Sequence, residues 1–190
     1  MKYTQVAEDM FKKLQLNAGV LLRDFAPETG ELVKTNIIGA TSGGVNFKAT
    51  PNFVDFGEDV DNVPNDTKEL KQITGWDVTM SGTFLTVDVE AAKDLVGAGD
   101  VTGTKITPRI NLKDEDFKEM WWVGDYSDEN GTNGGYIAIH MMNTLSNAGF
   151  QIQTGKEAKG QFAFEFKAHK TITDVELVPY EVYIKAGGAA

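Results

Sequence analysis

The sequence contains no cysteine. A disulfide framework, a thiolate metal site and a cysteine nucleophile are therefore excluded. Histidine occurs only at His140 and His169, which leaves little room for zinc chemistry or a serine–histidine mechanism. Basic residues are outnumbered, 18 against 28 acidic ones, for a net charge of −10. A surface of this sign repels phosphate and anionic membranes, so neither nucleic-acid binding nor membrane attachment is expected. No run approaches the ~18 apolar residues of a membrane helix. Residues 1–9 hold no apolar stretch of signal-peptide length. The expectation is a soluble protein made in the cytoplasm.

Of the 190 residues, 41% are hydrophobic and 24% charged, which suits one folded domain over 1–190 and excludes disorder as the main state. Glycine, at 20 residues, exceeds the usual ~7% and argues for many turns rather than a helical bundle.

The apolar pattern is mostly of period two. Trp76, Val78, Met80, Gly82 and Phe84 alternate with Asp77, Thr79, Ser81 and Thr83, which predicts a half-buried strand. Val45, Phe47 and Ala49 alternate in the same way after Gly43-Gly44. Further strands are expected over 17–23, 32–38, 117–123 and 180–184. Residues 136–142 are apolar on both faces and predict a central strand. Phe150 and Ile152, with Phe162, Phe164 and Phe166, predict a hairpin with one apolar face. Residues 99–112 read as a turn-rich connection and 125–135 as a hairpin turn.

Helix signals are few. Asp88 can cap a helix with its body over 90–96, stopped by Gly97. Val6, Met10 and Leu14 suggest a short helix in the N-terminal segment 1–16. The tail 185–190 reads as flexible. The fold class expected is mainly β, a sandwich or split barrel with one short flanking helix.

Residues 50–75 read as a long irregular loop. It carries Asp55, Glu58, Asp59, Asp61 and Asp66, yet also Phe53, Val54, Phe56, Val60 and Val63, with Pro51 and Pro64. A solvated linker rarely holds so many apolar side chains, so the segment reads as an arm that docks on something.

Chemistry is hard to find. The acids of the arm miss the calcium-loop template, because from Asp59 the sixth position is Pro64 and the twelfth is Leu70. Residues 125–131 are likewise out of register. Residues 39–44 resemble a phosphate loop only loosely, without its lysine or following helix. His140 lies within an apolar strand and reads as a satisfied core histidine, and His169 as a surface residue. Trp121-Trp122 reads as core packing, one ring on each face of a strand. No catalytic set, metal site or cofactor is expected.

Several segments, taken in order, resemble the major tail tube proteins of long-tailed phages of Gram-positive hosts. They are Lys13-Leu14-Gln15-Leu16-Asn17-Ala18-Gly19-Val20-Leu21-Leu22, Gly39-Ala40-Thr41-Ser42-Gly43-Gly44-Val45, Gly57-Glu58-Asp59-Val60-Asp61-Asn62, Asn111-Leu112-Lys113-Asp114-Glu115-Asp116-Phe117, Trp122-Val123-Gly124-Asp125-Tyr126-Ser127, Gly160-Gln161-Phe162-Ala163-Phe164-Glu165-Phe166 and Pro179-Tyr180-Glu181-Val182-Tyr183-Ile184. The resemblance implies a non-enzymatic virion protein of the tail. Its subunits close into hexameric rings that stack into a tube through which DNA passes, alongside a tail terminator, a distal tail protein and a tape measure protein. On that reading Phe53, Val54, Phe56, Val60, Val63 and Pro64 form an inter-subunit arm over 50–75. Asp77, Thr79, Ser81 and Thr83 are then candidates for the lumen face, against an ordinary solvated outer face. The tube of a contractile tail, tail-like bacteriocin or type VI secretion system remains an alternative, as does a small-ligand-binding β-barrel.

Overall fold

A computed structural model describes residues 13–15, 17–126 and 134–186. Most of the expected N-terminal helix, of the 125–135 turn and of the 185–190 tail lies outside them. The described residues form nine strands and one α-helix in the order β1 (Val20–Leu22), β2 (Thr41–Asp55), β3 (Lys71–Phe84), α1 (Val89–Val96), β4 (Gly99–Thr102), β5 (Lys105–Pro108), β6 (Lys118–Tyr126), β7 (Gly135–Ser146), β8 (Phe162–Ala168) and β9 (Tyr180–Lys185). The fold is mainly β, with antiparallel pairing throughout and one short helix.

The main sheet runs β1-β6-β7-β8-β3-β2, with β9 also on β7. Strand β7 is where it splits. One edge of β7 pairs with β6, while the other pairs with β9 over residues 136–141 and with β8 over 144–146. Between those two stretches Asn143 adopts φ 50°, opposite a register shift between Lys118 and Met120 of β6. An extra residue at this point bends the strand and lets the sheet part into two leaves.

The leaves share one apolar core. Leu21, Met120, Ile139 and Met141 come from one leaf, Val78, Met80, Phe84, Phe164 and Phe166 from the other. The Tyr180 ring of β9 lies 5.6 Å from Phe47 and 5.7 Å from Trp76, tying the leaves together. A second cluster of Leu22, Phe25, Trp121, Val123 and Ala138 covers the opposite face of β1, β6 and β7. Two buried faces explain why β7 is apolar on both sides, as expected. They also separate the tryptophans, since Trp122 packs on the first cluster and Trp121 belongs to the second.

Helix α1 buries Ala91 and Leu95 in the main core. The Asp88 side chain accepts a hydrogen bond from the Ala91 N–H at 2.7 Å. Gly97 ends the helix at φ 82°, a conformation that a side chain would strain. Asp88→Ala will cost about 1 kcal/mol, the usual loss for an N-cap carboxylate. A melting point lowered by about 2–4 °C should report it.

Three expectations change outside the 50–84 region. Residues 32–38 form a short 3-10 turn at Lys34–Asn36 rather than a strand. Residues 99–112 hold the two-stranded β4–β5 ribbon. Residues 150–153 form no strand and meet β8's leading end through a Gln153–Gln161 bridge and a Phe150–Phe162 ring contact at 5.9 Å. Phe150 and Ile152 are left 45% and 54% exposed.

Candidate functional site

The long arm is not an irregular loop. Its flanks are the distal halves of β2 and β3, paired from Thr50↔Asp77 to Asp55↔Lys71. This part of the hairpin extends about 20 Å at ~3.3 Å per residue. No residue of 50–75 belongs to or packs against either apolar cluster. The sequence signal was obscured on β3, where Thr74 is an extra residue opposite the Asn52–Phe53 step and breaks that strand's alternation.

The tip is internally organised. One Asp55 carboxylate oxygen accepts from the Gly57 N–H at 2.8 Å, and the other from the Asp66 N–H at 3.0 Å. Lys71 pairs with Asp66, and their hydrogen bond holds the Asp66 carboxyl below its usual range. Asp59, Asn62 and Asp66 all take positive φ, which these short polar side chains tolerate. Gly57 is buried against Leu70 and Val63. A Cβ at Gly57 would sit 2.8 Å from Leu70 and 3.2 Å from Val63.

The predicted arm residues therefore divide. Val63 is spent inside the tip, while Val54 is half-buried opposite Gln72. The Pro64 carbonyl accepts from the Thr67 hydroxyl at 2.6 Å. Phe53, Phe56 and Val60 stay 58%, 61% and 49% exposed, and Ile73, the cross-strand partner of Phe53, is 47% exposed. Ile73 belongs with this apolar surface but escaped the sequence reading, because only the register places it beside Phe53.

Asp77, Thr79, Ser81 and Thr83 do share one half-buried face of β3, opposite the core residues Val78, Met80 and Phe84. The strand itself carries no lysine, but its neighbours do. Thr79 is flanked by Lys48 of β2 and Lys167 of β8. Lys167 lies 2.5 Å from Asp77 and, by hydrogen bonding, holds that carboxyl below its usual range. The acid-or-neutral face expected from β3 is in fact a mixed one. A shallow cleft of about 170 Å³ at its end is lined by Thr83, Gln151, Ile152, Gln153, Gln161 and Ala163.

Two polar clusters were not legible in the sequence. Asp116, 4% exposed, accepts with both carboxylate oxygens from one guanidinium nitrogen of Arg109, Nη2, at 2.7 and 2.9 Å and from the Lys113 N–H at 2.9 Å. Lys93 of α1 approaches to 3.7 Å and Arg109 also meets Asp100 at 2.9 Å. Burial opposes ionisation of Asp116, but these donors outweigh it and hold the carboxyl below its usual range. The network fastens α1 and the β4–β5 ribbon to the start of β6.

The second cluster surrounds His140. Its ring stacks on Trp121 at 4.0 Å and 7°, with Glu119 and Glu181 on either side. His169 lies edge-on to Phe117 at 5.5 Å and contacts the Asn143 carbonyl at 3.2 Å. No metal-binding group of three or more acids or histidines, and no helix long and apolar enough to cross a membrane, occurs among the described residues. No protein-family model matches the chain, and no curated protein sequence matches it.

Proposed function

We propose that this chain is the tube subunit of a long, non-contractile phage tail. It closes into hexameric rings, and the rings stack into a hollow conduit for DNA in the virion. The observation that carries the reading is the outer part of the β2–β3 hairpin, residues 50–75, a preorganised arm with Phe53, Phe56, Val60 and Ile73 exposed and no residue in the subunit's own core. Exposed apolar residues on a defined protrusion suit a partner surface, and in a homo-oligomer the partner is another copy. Among the described residues β2 and β9 each keep one edge unpaired, which fits the same role, since unpaired edges are a hazard in a monomer.

Charge is compatible with a conduit. Six copies at −10 each place about −60 on a ring, which keeps DNA from sticking. The tail terminator, distal tail protein and tape measure are the further partners this role requires. Negative-stain electron microscopy of the purified chain tests the reading. Rings or tubes with six-fold end views are expected, whereas a monodisperse monomer at all concentrations would favour a small-ligand module.

A further inference from the structure

Residues 50–75 carry six acids against two lysines, whereas residues 149–163 carry two lysines against one acid. In the arm, Asp66 pairs with Lys71 and Glu69 with Lys68, and Asp55 is taken up by the Gly57 and Asp66 N–H groups. Glu58, Asp59 and Asp61 stay exposed around Val60, with no ion pair among the described residues. In the second segment Lys156 and Lys159 are exposed and likewise unpaired.

Both segments also expose apolar side chains. Phe56 and Val60 flank the arm's free acids, and Phe150 and Ile152 precede the free lysines. Ile152 forms one wall of the cleft of about 170 Å³, whose remaining lining is hydroxyl, amide and methyl groups without charge. That space is several times the ~30 Å³ of a water, enough for a side chain to enter.

The two segments lie at opposite ends of one hairpin. The arm tip lies beyond Asp55↔Lys71. At the other end Thr41 pairs with Phe84 and Phe84 with Phe162 of β8, whose ring lies 5.9 Å from Phe150. The 14 residues of β3 span about 40 Å at ~3.3 Å each, so a subunit's tip cannot reach its own cleft.

We infer that the cleft beside Ile152 receives the arm tip of a second copy, with Phe56 or Val60 seated against Ile152, and Lys156 and Lys159 facing Glu58, Asp59 and Asp61. The inference rests on the reading of residues 50–75 as an arm for another copy, and assigns the surface that the arm meets. Two different patches at opposite ends join copies head to tail, as an extended assembly requires. Charge selects this surface over other exposed apolar groups. Val182 and Ile184 share β9 with Glu181, and Val175 and Leu177 lie with Asp174 and Glu176. The nearby Lys185 and Lys170 are already engaged, by the Tyr136 ring and the Val175 carbonyl.

The absence of cysteine makes thiol cross-linking a specific test on the whole chain. A tagged Val60→Cys chain is mixed with an untagged Ile152→Cys chain and treated with a short bismaleimide. The mixed dimer should form about tenfold faster than with a Val182→Cys chain in its place, because a bound contact raises effective concentration. Lys156→Glu with Lys159→Glu in the Ile152→Cys chain should slow it about tenfold, as for two exposed ion pairs reversed. Glu58→Lys with Asp61→Lys in the Val60→Cys chain should then restore it. All the substituted side chains are exposed, so the fold tolerates them. Preferential linking to Val182→Cys, a rate unmoved by the lysine reversals, or background linking of both pairs in samples that show rings by electron microscopy, overturns the cleft as receiver and leaves the tube reading standing. Background linking with no rings at all overturns both.

Discussion

Phe53→Ser, Phe56→Ser and Val60→Ser together should abolish the ring and tube formation proposed for this chain while leaving the subunit folded. Each side chain is about half exposed in the subunit, so docking would bury the remainder. At ~1.5–3 kcal/mol for a fully buried large apolar side chain, the exposed half gives roughly 1 kcal/mol each. Three such losses weaken each contact about a hundredfold, at 1.4 kcal/mol per factor of ten. A ring multiplies the loss over its interfaces. The fold should be nearly indifferent, because none of the three packs on either apolar cluster. The melting point should stay within about 5 °C, as for surface changes. Val63→Ser is the contrasting variant. It should loosen the tip itself, since Val63 packs over Gly57. Normal tubes from the triple variant, seen by electron microscopy and sedimentation, would remove the hairpin from the interface.

Asp116→Asn will be the most destabilising single substitution among the acidic residues, by about 3–5 kcal/mol at neutral pH. The side chain is fully enclosed, and Arg109 and Lys93, 13% and 16% exposed, would be left without its charge. The pH dependence follows from the direction of its shift. A carboxyl held below the ordinary 3.8 stabilises the fold above that pH and ceases to do so as pH falls through its folded value. The difference between wild type and Asp116→Asn should therefore shrink in acid. Asp94 has the opposite sign. Its burial raises the carboxyl above 3.8 despite the ion pair with Arg23. It therefore favours the fold in acid and loses that contribution as pH rises. Asp94→Asn should cost much less at neutral pH, under about 1 kcal/mol. Urea unfolding at about pH 7 and about pH 2.5 measures both. Equal losses for the two variants, or a loss for Asp116→Asn that grows in acid, would contradict this account of the network.

Local pattern was enough wherever one residue's neighbours in sequence are also its neighbours in space. The period-two run from Trp76 to Phe84 is strand β3 with the expected face buried. The Asp88 cap and Gly97 stop bound helix α1, because both are satisfied within one turn of backbone. The mainly-β class and the double-sided burial of β7 follow from the same periodicities.

The tertiary structure decided what depends on register and on closure. An extra residue, Thr74 of β3, hid that strand's outer half and the pairing of Phe53 with Ile73, since one extra residue inverts the alternation that marks a strand. Lys48 and Lys167 reach the face of Thr79 only because β2 and β8 flank β3. Asp116 is indistinguishable in sequence from Asp114 and Glu115, yet it alone of the three is enclosed by Arg109 and Lys93. His140 gains Glu119 and Glu181 from strands 21 and 41 residues away by number. Periodicity sets which face of a strand is apolar, but only strand order sets which charges meet across it.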